Sequence, residues 1–178
     1  MQENNISNTF AKLEECLFFV RNQYRRRAYI CSPLRADTAL GIYKNMYKAR
    51  EYMLYTAKTM KYTPYAPHAY IPMLLNDIFP EERALALEFG LRLLELCDAL
   101  FVCGGYISYG MKGEIAHAAK KGLKILVFNT HVLDEVRQVV SDAGGDVQSV
   151  RLNDSHSYLG SPVFRTDGGK VSGHSWGG

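Results

Sequence analysis

The stretch Ala99–Phe128 narrows what this chain can fold into more than any other part of it. Ala99–Cys103 (ALFVC) and Lys124–Phe128 (KILVF) are short apolar runs, each with the length of a buried strand. Between them Met111, Glu114, Ile115 and Ala118 fall at i, i+3, i+4 and i+7, one face of a helix. A strand, a helix and a strand in that order predict a parallel pair with the helix crossing over. Strands this uniformly apolar need cover on both sides, which predicts helices above and below the sheet.

The rest of the chain repeats the alternation. Ala28–Cys31 reads as a strand that stops at Ser32-Pro33, where the proline forces a loop. Ile42, Met46, Ala49, Met53, Ala57 and Met60 form one stripe, predicting a helix over about 38–61 whose methionines fill core gaps. Tyr62–Ala66 is the second strand despite Pro64, and Pro67 and Pro72 bound a shaped loop. Pro80 followed by Glu81 and Glu82 opens a helix that runs to about Leu96. That helix is apolar nearly all round (Leu85, Leu87, Phe89, Leu91, Leu93, Leu94), so it is expected to pack on the sheet and on a second copy, making a homo-oligomer. A helix over His131–Ala143 stops at Gly144-Gly145, and Val147–Leu152 reads as a last strand.

Phe10, Leu13, Leu17 and Val20 predict an amphipathic helix ahead of the first strand, and the chain beyond 160 is glycine-rich without periodicity. The organisation expected is a helical extension over 1–27, an α/β domain over 28–152 and a tail over 153–178. The fold expected is a single doubly wound, flavodoxin- or Rossmann-like α/β domain with about five parallel strands.

Composition excludes several classes of function. Across the 178 residues the net charge is +3, too small for a nucleic-acid surface, and the cluster Arg21, Arg25, Arg26, Arg27 reads as a solvated helix end. No apolar run approaches the ~18 residues of a membrane span, and the polar start MQENNISNT does not resemble a secretory leader. Cys16, Cys31, Cys97 and Cys103 lie in apolar surroundings without metal or redox spacing, as expected of reduced thiols in the cytoplasm.

In a doubly wound sheet, ligands bind where strands end. That edge would gather Ser32–Asp37, Pro67–Tyr70 and Gly104–Glu114. Glu114 is the informative residue, because a carboxylate on a core-facing stripe is costly unless something requires it. Ser108 is a natural N-cap for the helix, and the free N–H groups over Ser108–Gly110 favour an anion. There is no GxxxxGK[ST], no GxGxxG, no HxE with PCxxC, and no paired spacing among the five histidines, so no cofactor or metal is expected.

The run Ser108-x-Gly110-Met111-x-x-Glu114, followed by Ala118-x-x-x-Gly122, resembles the nucleoside 2-deoxyribosyltransferases and their nucleotide N-glycosidase relatives. Tyr29–Arg35 (YICSPLR) resembles that group's first-strand motif, Asn45 and Ala49 match its following helix, and Asp98 matches an acid at the start of its third strand. The resemblance spans about Tyr29–Phe128. It implies that Glu114 attacks the anomeric carbon of a nucleoside or nucleotide to form a covalent glycosyl ester, the double displacement of retaining glycosidases. Asp98, or a loop acid such as Asp37, would handle the proton at the leaving base. Tyr70 and Tyr106 would orient that base. Arg35 and the amides near Ser108 and Gly110 would hold a 5′-phosphate. Tyr29, Ser32, Pro33, His68, Gly104 and Met111 complete the expected substrate-binding set. A non-catalytic module of the same fold that binds a nucleotide-derived ligand is the alternative.

Overall fold

A computed structural model describes residues 26–76 and 78–153. The helix expected over 9–23 and the tail beyond 153 lie outside them. Five strands, β1 (Arg27–Cys31), β2 (Thr63–Tyr65), β3 (Ala99–Val102), β4 (Lys124–Val127) and β5 (Val150–Leu152), form one sheet in the order β2-β1-β3-β4-β5. Every neighbouring pair is parallel, with Tyr29 beside Tyr65 and Leu100, and Leu100 beside Ile125. The chain moves outward from β1 to β2 and then returns past β1 to β3. The gap between the ends of β1 and β3 is therefore the switch point at which such sheets bind ligands.

Period-two alternation divides the core into two layers. Tyr29, Cys31, Leu100, Val102, Ile125 and Val127 face three helices. These are α2 (Pro80–Glu95), α3 (Tyr109–Lys120) and α4 (Leu133–Asp142), which supply Leu94, Met111, Ile115, Val136 and Val140. Ala28, Ile30, Phe101 and Cys103 face the other way, toward Ala49 of α1 (Ala39–Tyr55) and toward Tyr62 and Ala66. There Phe101 stacks edge-on with Tyr62 at 5.1 Å and tilted against Phe128 at 5.3 Å between ring centres.

Helix ends follow local chemistry. The Thr38 side chain accepts from the Gly41 amide and Ser108 accepts from Met111, the expected N-caps. Pro80 sits at the first position of α2, and α4 stops where Gly144 adopts φ +74°. Two elements differ from expectation. The long methionine-striped helix widens into a π turn at Thr56–Met60 and ends in left-handed Lys61, which brings both Thr56 and Ala57 into the interior. Val147–Ser149 is a 3-10 turn, because the Asp146 carboxylate accepts from the Gln148 amide at 2.8 Å and holds the backbone off the sheet. In α2, Gly90 and Leu94 are fully buried, while Leu85 is 56% and Leu87 51% exposed. Among the described residues no helix is long and apolar enough to cross a membrane.

Candidate functional site at the carboxyl edge of the sheet

Glu114 lies on the inner face of α3, over the carboxyl half of β1. The Tyr29 hydroxyl donates to its Oε1 at 2.7 Å, and the Cys31 thiol is a second donor. Tyr29 and Cys31 are two residues apart on β1, so their side chains point to the same face and reach one acceptor together. The Tyr29 ring extends toward α2, where Gly90 admits it: a Cβ at position 90 would stand 3.1 Å from the phenol oxygen. Burial raises the Glu114 carboxyl pKa above its ordinary value, and the hydrogen bonds from Tyr29 and Cys31 pull it partly back. Burial, reinforced by the Glu114 charge, keeps the Tyr29 phenol and Cys31 thiol protonated, so both remain donors.

The helix dipole is not what stabilises this carboxylate. Ser108 caps α3 at its start, which places Glu114 in the second turn, beyond the first turn where the dipole acts strongly. Side-chain donors on β1 take that role.

On the other face of the same edge, Ser32 and His68 meet at 2.7 Å between Oγ and Nε2. Ser32 follows β1 and is only 6% exposed; His68 is in the 3-10 turn Pro67–Ala69 that follows β2. Burial lowers the His68 pKa to about 4, so the imidazole is neutral at physiological pH. Helix α1 holds the two loops that carry this pair. Asn45 Nδ2 donates to the Leu34 carbonyl at 3.0 Å, and Arg50 donates to the Ala69 carbonyl at 2.9 Å. A cavity of about 100 Å³ opens here, walled by Ser32, Pro33, Lys48, Tyr52, Gly104 and Tyr106. Gly104 has φ +110°, and a Cβ there would stand 2.8 Å from Pro33, so the β1 and β3 loops touch only because residue 104 lacks a side chain. A second, apolar groove of about 470 Å³ runs between α1 and the chain over Pro72–Asn76, with Arg35 on its wall.

The edge thus gathers Tyr29, Ser32, Pro33, His68, Gly104 and Glu114. Tyr106 leans across it, its hydroxyl donating to the Arg35 carbonyl at 3.4 Å. Tyr70 lies at the end of the β2 loop, 39% exposed. Arg35 and Asp37 are on the exposed loop after β1, and Ser108 and Gly110 begin α3, with open space around Gly110.

Two expectations require correction. Asp98 precedes β3 and lies at the opposite, amino edge, where its carboxylate accepts from the Arg27 amide at 2.7 Å and the strand separates it from Glu114. Met111 is 2% exposed within the core layer, so it packs the helix rather than lining a ligand. Sequence reasoning also passed over Gly90, Lys48 and the donor role of Cys31. A glycine inside an apolar helix costs about 1 kcal/mol relative to alanine, and that cost was the available signal for a close approach at position 90.

Among the described residues Cys31, Cys97 and Cys103 are buried free thiols, and no group of three or more His, Cys, Asp or Glu is placed to hold a metal.

Strand order and edge define a doubly wound α/β domain with a polar site at the β1/β3 switch point. The chain belongs to the family described as a domain of unknown function (DUF7768), whose profile covers residues 26–128. No curated protein and no solved structure matches the chain.

Proposed function

We propose that the protein cleaves or transfers the N-glycosidic bond of a nucleoside or nucleoside 5′-monophosphate through a covalent glycosyl ester on Glu114. The observation that carries this reading is the 2.7 Å hydrogen bond from Tyr29 to Glu114 beside the switch point. It engages Oε1, and it favours the ionised form that a nucleophile requires. A carboxylate oxygen of Glu114 bonds to the anomeric carbon as the carbon–nitrogen bond breaks, and the electron pair leaves with the base. Water or a second base then displaces the ester, and Glu114 is regenerated. With Asp98 at the other edge, Asp37 on the β1 loop is the acid this reading retains to protonate the departing base. We place the activity in the cytoplasm, where buried free thiols stay reduced, in a homo-oligomer that covers the exposed apolar side of α2.

The test is a panel of nucleosides and their monophosphates, with released base measured by chromatography. Wild type is expected to release base, Glu114→Gln to lose at least about 10³-fold in turnover, and a 2-fluoro substrate to leave a mass adduct on Glu114. Full turnover by Glu114→Gln would overturn the mechanism.

A second reading, ligand binding without turnover, is favoured by one observation. Glu114 lines neither the small polar cavity nor the apolar groove, and burial works against its ionisation. Tight binding of a monophosphate by wild type, with no base released and no adduct, would establish it.

A further inference from the structure

The 100 Å³ cavity at the switch point is lined in part by Lys48, Gly104 and Gly105. Lys48 is exposed on α1 and extends along the wall; among the described residues no hydrogen bond or ion pair engages its ammonium. Its charge acts on the Glu51 carboxylate one turn further on, and Arg50 follows two residues along the exposed side of α1. Across from it the β3 loop passes Gly104 and Gly105, whose amides donate to no backbone or side-chain acceptor among the described residues. Ser32 also lines the cavity, its hydroxyl engaged by an imidazole that burial keeps neutral. An ammonium and two adjacent backbone N–H groups around a small space form a donor set that recognises a tetrahedral oxyanion. The glycine at 104 keeps the β3 loop close against the β1 loop.

We propose that this cavity is a phosphoryl subsite, so that the preferred ligand is a nucleoside 5′-monophosphate whose phosphate is held by Lys48 and the Gly104–Gly105 amides. That location differs from the one expected at Arg35 and the start of α3. A ligand anchored here and reaching Glu114 would lie across the switch point, from the α1 face of the edge to the α3 face. The proposal rests on the proposed function for the ligand's identity, but not for the anion itself.

The experiment uses the full chain carrying Glu114→Gln, which binds without turning over. Affinities for dCMP, deoxycytidine and inorganic phosphate are measured by calorimetry, with and without Lys48→Met, which keeps the aliphatic stem and removes the charge. The expected result is a loss of about tenfold or more for dCMP and for phosphate, the effect of one charge-assisted hydrogen bond, with deoxycytidine unchanged. Lys44→Met, one turn earlier on the exposed side of α1, controls for general charge. Equal weakening of dCMP and deoxycytidine, no change for dCMP, or a loss that tracks Arg35→Met instead would each overturn the subsite. Base release by wild type without any Lys48 dependence would remove the subsite and leave the proposed function standing. Lys48-dependent phosphate binding in a wild type that releases no base would do the reverse.

Discussion

Two carboxylates flank β3, and they end up at opposite edges of one sheet. Asp98, one residue before the strand, is exposed and accepts from the Arg27 amide, while Arg27 returns its carbonyl to the Asp98 amide at 2.9 Å. This ties the starts of β1 and β3 together. Glu114, beyond the strand and one loop on, is set into the core layer against Tyr29 and Cys31. A carboxylate that water already solvates gains little from a single amide. One that burial has stripped of water depends on every donor it retains. The difference comes from the direction of the strands. In a parallel sheet all residues that enter a strand share one edge, and all residues that leave a strand share the other.

This contrast can be broken experimentally, and the largest effect is expected at Tyr29. Tyr29→Phe keeps the ring between β1 and α2 but removes a hydrogen bond to a charged group, an interaction of about 1.5–3 kcal/mol. Turnover should fall by about ten- to a hundredfold. Because the lost donor favoured the ionised carboxylate, the Glu114 pKa should rise further, and the acid limb of kcat/KM should move to higher pH. An unchanged limb would mean that Tyr29 serves packing alone.

His68 should show a smaller effect, visible in stability rather than turnover. Its folded pKa of about 4 lies below the roughly 6.5 of an unfolded histidine. Between those values the unfolded chain binds more protons than the folded one, so stability should fall as pH drops from about 6.5 toward 4. Denaturant titrations at several pH values should show that slope in wild type and a flatter one in His68→Gln, which can still bond Ser32. Parallel slopes would mean that the imidazole is not held neutral.

The smallest change is expected at Asp98. Asp98→Asn retains an oxygen to accept the Arg27 amide, so turnover should stay within about twofold and stability within about 1 kcal/mol. A large loss of turnover with the fold intact would return Asp98 to the chemistry and erase the distinction between the edges.

Much of this molecule was legible from short-range pattern. Alternating apolar strands and striped helices foretold the doubly wound sheet, and Pro80, Ser108 and Gly144 marked helix ends through chemistry confined to a turn or two. The misfit of Glu114 on the stripe Met111–Ile115–Ala118 was visible as well, since burial of a helix face follows from periodicity. The Asp146 side chain defeated the strand expected from Val147, where a local hydrogen bond outcompeted apolar propensity.

What the sequence determined by itself was a sheet, an edge and one carboxylate in need of a partner. The partner was settled only by the tertiary structure. Tyr29 is 85 positions from Glu114 and Ser32 is 36 from His68, so neither pair leaves a periodic trace in the chain. Parallel pairing of β1 with β3, the crossover of α2 past β1, and the space left by Gly90 bring Tyr29 and Glu114 together. The same pairing sends Asp98 to the far edge, because strand direction is a property of the assembled sheet.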